Sequence, residues 1–271
     1  VIEQLSLPLH SVRVGNEDAP HRVVFLHGLF GRGKNFTRVA TALGPEAQCL
    51  LVDLPNHAGS GWTEHFVYEQ MADLIAAHLR ADFAANGPVD IVGHSMGGKV
   101  AMILTLRHPD LVHRLVVIDI APGSSTGGRG NFTHLLGSLA AIDLAQITRR
   151  SDAENALSEQ VPDPAVRNFL LQNLKRDDQG YTWEANLAML RAELAAVMGF
   201  PDTGDATFTG PVMWIGGGNS SYVSDEDEPA MRELFPKTVR VTVKGSGHWV
   251  HSEKPEETIA ALRAFLVSTG R

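Results

Sequence analysis

The chain has 271 residues, 44% of them hydrophobic, and a formal net charge of −8. That is enough apolar material for one large or two modest domains, and so acidic a chain is a poor partner for a polyanion such as nucleic acid. Cys49 is the only cysteine, which excludes an intramolecular disulfide, and no run approaches the ~20 apolar residues that span a bilayer.

In chain order, the opening residues VIEQLSLPLHSVRVG have no basic start and no long apolar stretch, so they do not read as a signal peptide. Because the chain starts at Val1, a leader removed earlier stays open. A soluble, cytoplasmic protein is expected. Alternation at Leu5, Leu7, Leu9, Val12 and Val14 fits an antiparallel opening hairpin. Strands are expected at Val23 to Leu26, Leu50 to Val52, Val89 to Val92, Leu115 to Ile120, Val212 to Ile215 and Val239 to Val243. Several are continuously apolar, as strands covered on both faces must be. Cys49 lies in a strand-like run, Gln48 to Asp53, and reads as core packing. Helix patterns lie between the strands, at Asn35 to Leu43, Val67 to Ala84, Met96 to Arg107, Pro229 to Phe235 and Glu256 to Val267. The alternation predicts an α/β fold with a mostly parallel sheet flanked by helices.

One segment breaks this rhythm. Residues 122–210 contain no convincing strand and three amphipathic stretches, Phe132 to Ile147, Ala165 to Leu174 and Ala185 to Met198. The expected organisation is a core of residues 1–121 and 211–271 with a helical lid at 122–210, led into by the flexible Pro122 to Gly128. Leu135, Leu136, Leu139, Met189 and Leu190 supply apolar lid faces, mostly for helix packing and in part for an acyl pocket. Phe30, Phe132, Trp183, Tyr222 and Trp249 are the aromatic candidates for that pocket.

Between a strand and a helix stands Gly93-His94-Ser95-Met96-Gly97. A serine on so sharp a strand-to-helix turn stands clear of the sheet, and the flanking glycines let neighbouring elements approach. Ser95 is therefore the candidate nucleophile, at the positive end of the following helix. Upstream, His27-Gly28-Leu29-Phe30-Gly31 follows another strand. The backbone N–H groups of Leu29 and Met96 are placed to hold the oxyanion of a tetrahedral intermediate. His27 is expected to anchor its loop by a hydrogen bond, without moving a proton.

Twelve histidines compete for the role of base. His248 is best placed, after the last strand and behind two glycines, Gly245 and Gly247, that let a loop swing over the strand ends. His94 adjoins Ser95 on a sharp turn and should point away from it. His57 reads as a turn former, and His251 as a supporting residue near the final helix. The acid is less obvious. The turn after the strand at 212–215, Gly216 to Val223, usually carries it and here offers only Asn219, Ser220 and Ser221. Asp119, at an apolar strand end, is costly to bury without a partner. Strands lie ~4.8 Å apart, so a carboxylate on the neighbouring strand end can still reach His248. Asp119 is the expected acid and Asp225 its rival. Ser220 is expected to add a supporting hydrogen bond.

Several motifs together resemble the αβ-hydrolase superfamily over nearly the whole chain: HGLFG at 27–31, DLPNHAGS at 53–60, GHSMGGKVAM at 93–102, VVIDIAP at 116–122, GGNSSYV at 217–223 and GHWVHSEKP at 247–255. Within it the chain is most similar to the YbfF-type small esterases and their mitochondrial αβ-hydrolase-domain relatives. The resemblance implies an acid on the earlier strand, matched by Asp119, and a serine on the later one, matched by Ser220. It implies cleavage of carboxylic esters or acyl thioesters through an acyl-enzyme. Pro55 and Ala58 depart from the family's usual arginine and glycine, which affects the shape of that loop. The expected reading is a serine hydrolase of small acyl substrates with no metal and no cofactor; its oligomeric state is open. Other chemistry on the same fold (perhydrolysis, carbon–carbon bond hydrolysis, acyl transfer) and a non-enzymatic ligand receptor are the alternatives.

Overall fold

The computed structural model describes residues 7–123 and 129–267. Its strands, in chain order, are β1 (Ser11–Gly15), β2 (His21–Leu26), β3 (Ala47–Val52), β4 (Val89–His94) and β5 (Val112–Ile118). They continue with β6 (Leu174–Asp177), β7 (Gly180–Trp183), β8 (Val212–Gly217) and β9 (Thr238–Val243). Seven of them form one sheet in the order β1, β3, β2, β4, β5, β8, β9. Every pair in that sheet is parallel except β1 with β3.

The sheet is covered on both faces, and its strands show it. β3 and β4 are buried at every residue. Alternate residues serve opposite layers: Val24, Leu26, Leu50, Val52 and Ile91 belong to one cluster, and Val23, Phe25, Cys49, Leu51 and Val92 to the other. The first layer is built with helices α2 (Tyr68–Ala81) and α3 (Met96–Arg107), through Met71, Ile75, Val100 and Ile103. The second is built with a helix at Thr37–Leu43, here α1, and the helix at Pro255–Leu262 near the end of the described chain. Cys49 packs in this second layer, where burial pushes its thiol up to about 12. It is a small core residue, as expected.

Register aligns the strand ends. Leu26 lies beside Val52 and Gly93, and Gly93 beside Val117. Ile118 in turn lies beside Ile215. The residues that follow β2, β3, β4, β5 and β8 therefore emerge along one edge, where ligands bind in open α/β sheets.

Three expectations need correction. The opening hairpin does not form: β1 pairs with β3, because both sides of β2 are taken by the parallel neighbours β3 and β4. Leu7 and Leu9 precede the strand, and Leu5 lies outside the described residues. The segment between β5 and β8 does contain strands, the hairpin β6–β7. Only Leu174 of β6 is buried, so no apolar alternation marks it, and the turn at Asp177 to Gly180, with Gly180 at φ 128°, is its one sequence signal. The long lid helices are shorter pieces: α4 (Arg129–Ala140), α5 (Arg150–Leu157), α6 (Pro164–Leu171), α7 (Leu187–Ala192) and α8 (Leu194–Met198). Residues 124–128 of the expected flexible lead-in lie outside the described residues. After β8 come α9 (Glu228–Leu234), α10 (Val250–Glu253) and α11, the Pro255–Leu262 helix, which continues as a wider turn to Val267. Among the described residues no helix is long and apolar enough to cross a membrane.

Candidate active site

Ser95 sits between β4 and α3 with φ 54° and ψ −122°. A side chain costs about 1–3 kcal/mol in so sparsely populated a region. Hydrogen bonds hold it there: Ser95 N–H donates to the carbonyl of Ile118 at 3.0 Å, and its own carbonyl accepts from Gly98 and Lys99. The neighbouring glycines are required by space. A Cβ at Gly93 would lie 2.3 Å from the carbonyl oxygen of Gly97, and one at Gly97 would lie 2.4 Å from those of Leu26 and His27. The start of α3 is thus pressed against the end of β2, with Ser95 held above the edge.

His248 lies in the loop between β9 and α10. Its Nε2 is 2.9 Å from Ser95 Oγ and its Nδ1 is 2.8 Å from Asp119 Oδ2. Ionised Asp119 only accepts, so Nδ1 carries the proton and Nε2 accepts the serine O–H. The ring is stacked on Tyr222 at 4.0 Å. Asp119 follows β5 with φ 52° and is wholly buried. Its Oδ1 accepts the Gly217 N–H at 2.8 Å, and its Oδ2 accepts the Ser220 hydroxyl as well as the His248 ring. Its own N–H donates to Ile215 at 2.8 Å. The glycine-rich bend after β8 therefore supplies donors, and the carboxylate comes from the neighbouring strand end. Asp225 is elsewhere: its side chain is 97% exposed and paired with Arg240 on β9 at 2.9 Å.

Leu29 and Met96 line one small chamber with Ser95. Met96 opens α3, so its N–H has no helical acceptor, and no internal acceptor takes the N–H of Leu29 among the described residues. The Leu29 loop is fixed from several sides. His27 Nδ1 donates to Gly28 at 2.8 Å while its Nε2 accepts the Leu54 N–H at 2.9 Å, and burial pushes the ring down to about 4. It is a neutral anchor, as expected. The Phe30 carbonyl accepts from the side chains of Gln172 and Asn173 in the inserted segment, at 3.0 and 2.8 Å. In the adjoining Asp53 to Ser60 loop, Ala58 holds φ 47°, a conformation that suits glycine.

The other histidines are structural. His94 turns away from the serine and its Nε2 donates to the His248 carbonyl at 2.8 Å. His251 opens onto α10 and stacks on Phe36 at 4.5 Å. His57 donates from Nδ1 to the Pro55 carbonyl at 3.0 Å. Burial pushes all three rings down, His57 and His251 to about 3.

Of the expected pocket aromatics, Phe30, Phe132 and Trp249 line a chamber with Ser95 and His248, and Tyr222 lines the one that holds Met96. Trp183 is not brought there. It sits on β7 in a separate groove beside Ile142 and Leu187, because the hairpin carries it to the outside of the inserted segment. Of the lid leucines, Leu135 reaches the chamber, while Leu136, Leu139 and Leu190 are core. Reasoning from sequence missed Val166, Phe169 and Leu170 of α6, Val197 and Met198 of α8, and Lys99. The amphipathic pattern over α6 was the available signal for the first three.

A hydroxyl bonded to a neutral ring nitrogen, with the opposite N–H held by a buried carboxylate, can pass its proton to the ring as the oxygen attacks an electrophile. Residues 23–261 match the alpha/beta hydrolase family, and the chain belongs to that family. It is 36% identical over 269 residues to the mouse sn-1-specific diacylglycerol lipase ABHD11, covering 96% of this chain and 85% of that protein. It is 28% identical to the esterase YbfF of Escherichia coli, covering 97% of this chain and 99% of that protein. Among solved structures, an esterase from a marine microorganism superposes with a TM-score of 0.92 at 32% identity, over 96% of this chain and all of that one.

Proposed function

We propose that the protein is a serine hydrolase that cleaves carboxylic esters through an acyl-enzyme. The observation that carries this reading is the unbroken chain from Ser95 Oγ to His248 to Asp119, at 2.9 and 2.8 Å. Ser95 attacks the acyl carbonyl and His248 takes its proton. The N–H groups of Leu29 and Met96 receive the negative oxygen, a contribution worth ~10²–10³ in rate for one such donor. His248 returns the proton to the leaving group, then activates the water that frees the acid. Asp119 holds the ring in its Nδ1–H form and stabilises the imidazolium. Ser220 and the Gly217 N–H fix the carboxylate. Residues 122–210 act as a lid: α4 and α6 roof one side of Ser95 and α8 the other. Three related proteins with esterase or lipase names support ester bonds as the substrate class. An acyl thioester fits the same chemistry.

The test is turnover of a panel of p-nitrophenyl esters and acyl thioesters of rising chain length, followed on the millisecond scale. A burst of alcohol or thiol, equal to the enzyme present, is expected before the steady rate, and no turnover in Ser95→Ala. Steady release without a burst at saturating activated ester, or turnover surviving Ser95→Ala, removes the acyl-enzyme. No turnover on any member removes the hydrolase.

A further inference from the structure

Lys99 is a lysine buried in the wall of the chamber that holds Ser95. It stands in the first turn of α3, four residues after Ser95, and its N–H donates to the Ser95 carbonyl at 3.1 Å. Both line one chamber with Leu29, Met96, Met198 and Tyr222. Lys99 is 2% exposed. Its ammonium donates to the carbonyls of Met198 and Gly199, at 2.8 Å each. An ammonium has three donors, so one is left. No carboxylate pairs with it among the described residues, and burial alone pushes its pKa down to about 8.

A charge taken out of water needs a counter-charge or full hydrogen bonding, and Lys99 has neither in full. The two carbonyls at the end of α8 favour a cation but carry only partial charge, so the third N–H and the net charge stay unmatched. The chamber is about 20 Å³ and the one on the other side of Ser95 about 10 Å³, so each takes a group of a few atoms and neither holds an alkyl chain as it stands. The chamber on the other side of Ser95, lined by Phe132, Leu135, Val166, Phe169 and Leu170, is apolar. Lining, not size, separates the two: the apolar side suits a small apolar group and the Lys99 side a small anionic one.

We infer that the free N–H of Lys99 receives a carboxylate that the substrate carries a few atoms from the bond that is cleaved. This rests on the serine hydrolase reading above. It narrows the substrate class to esters that are themselves carboxylic acids, with the charge on either the acyl or the alcohol side.

Two matched pairs of esters test it. Monoethyl succinate against ethyl 4-methylpentanoate places the charge on the acyl side. Acetoxyacetate against isobutyl acetate places it on the alcohol side. In each pair a carboxylate replaces an isopropyl group of similar shape. In the native protein one pair favours its charged member in kcat/KM by at least about tenfold, the worth of one charge-assisted hydrogen bond. Lys99→Met brings that ratio to about one or below. A general loss of activity lowers both members together and leaves the ratio unmoved, so a merely structural lysine does not reproduce this result. The native protein gives a second reading that needs no variant. Because kcat/KM reports the free enzyme, the charged preference is nearly full at about pH 7, half lost near pH 8 and falls further above it as Lys99 loses its proton. Tyr222, the other ionisable side chain lining the chamber, is pushed up by burial and stays neutral there. Ratios near one in both pairs, a preference that survives Lys99→Met, or a preference flat from pH 7 to about 9.5 overturns the inference, while turnover of the neutral esters leaves the hydrolase standing. No turnover on all four esters, with no covalent adduct at Ser95, brings down the hydrolase and the inference together.

Discussion

At the carboxyl edge of the sheet Ser95 and Asp119 are held by backbone from a neighbouring strand, whereas the inserted segment between β5 and β8 is tied to the core mainly by side chains. Ser95 N–H is bonded to Ile118, and Asp119 is bonded to Ile215 and Gly217. These groups cannot shift without breaking the sheet. The insertion is held otherwise: Gln172 and Asn173 reach Phe30, Asn186 reaches Asn56, Tyr68 reaches Val197 and Lys99 reaches Met198. Such ties can be exchanged one by one. On the proposed function, chemistry belongs to the edge and substrate shape to the insertion, and the two can be altered separately.

The sharpest way to break that division is to change the edge. Asp119→Asn should lower kcat by about 10⁴, the cost of holding the ring in the wrong tautomer. Asp225→Asn, in a surface ion pair with Arg240, should change kcat by less than about twofold. Comparable losses in both would contradict the assignment of the acid. Ser220→Ala removes one of the three donors to that carboxylate, and a loss of roughly tenfold in kcat is expected, near 1.4 kcal/mol. Full activity would make Ser220 a turn residue only.

Within the insertion the comparison sharpens to two aromatics. Phe169 lines the chamber with Ser95 and Trp183 lies in the separate outer groove. Phe169→Ala should raise KM for longer alkyl esters about fivefold, some 1 kcal/mol of lost contact, and leave kcat for acetyl esters near the native value. Trp183→Ala should leave both constants unmoved in the folded protein. The reverse pattern would place the pocket on the other side of the hairpin.

The histidines beneath the edge bear on stability and leave the rate at neutral pH unchanged. His27, His57 and His251 are pushed down to about 4, 3 and 3, and His94 is also pushed down, all by burial. Unfolding exposes each ring to its ordinary value near 6.5. Below that pH the unfolded chain binds the extra protons, so stability is full above about 6.5 and falls as pH drops toward the folded values. Each ring contributes up to about 1.4 kcal/mol per pH unit in that window. The urea midpoint should move down steadily from pH 7 to pH 5, and a constant midpoint would show that these rings are not held neutral.

Much of the edge was legible in the sequence because its residues obey strict rules. Glycines at 93 and 97 are forced by close approach, and a carboxylate in an apolar strand end asks for a partner. The insertion follows looser rules. The hairpin β6–β7 buries only Leu174 on its first strand, so no alternation marked it. Trp183 and Phe169 look alike as aromatic residues in a helical region, and nothing local says which faces Ser95. Lys99 reads in sequence as a charge on a helix; only packing of α8 over α3 shows it to be buried. The pairing of β1 with β3 was hidden for a related reason: a short strand does not announce its partner when two edges are open to it.

The central claim is that Ser95 is made reactive by His248 and by a carboxylate from β5. Its most direct measurement is the rate and site of covalent labelling by a fluorophosphonate, mapped by mass spectrometry of the digested protein. The account predicts one adduct, on Ser95, formed at the native rate in Asp225→Asn, slowed by orders of magnitude in Asp119→Asn and absent in His248→Ala. An adduct on another residue, or labelling of Ser95 at an undiminished rate in Asp119→Asn, would contradict it.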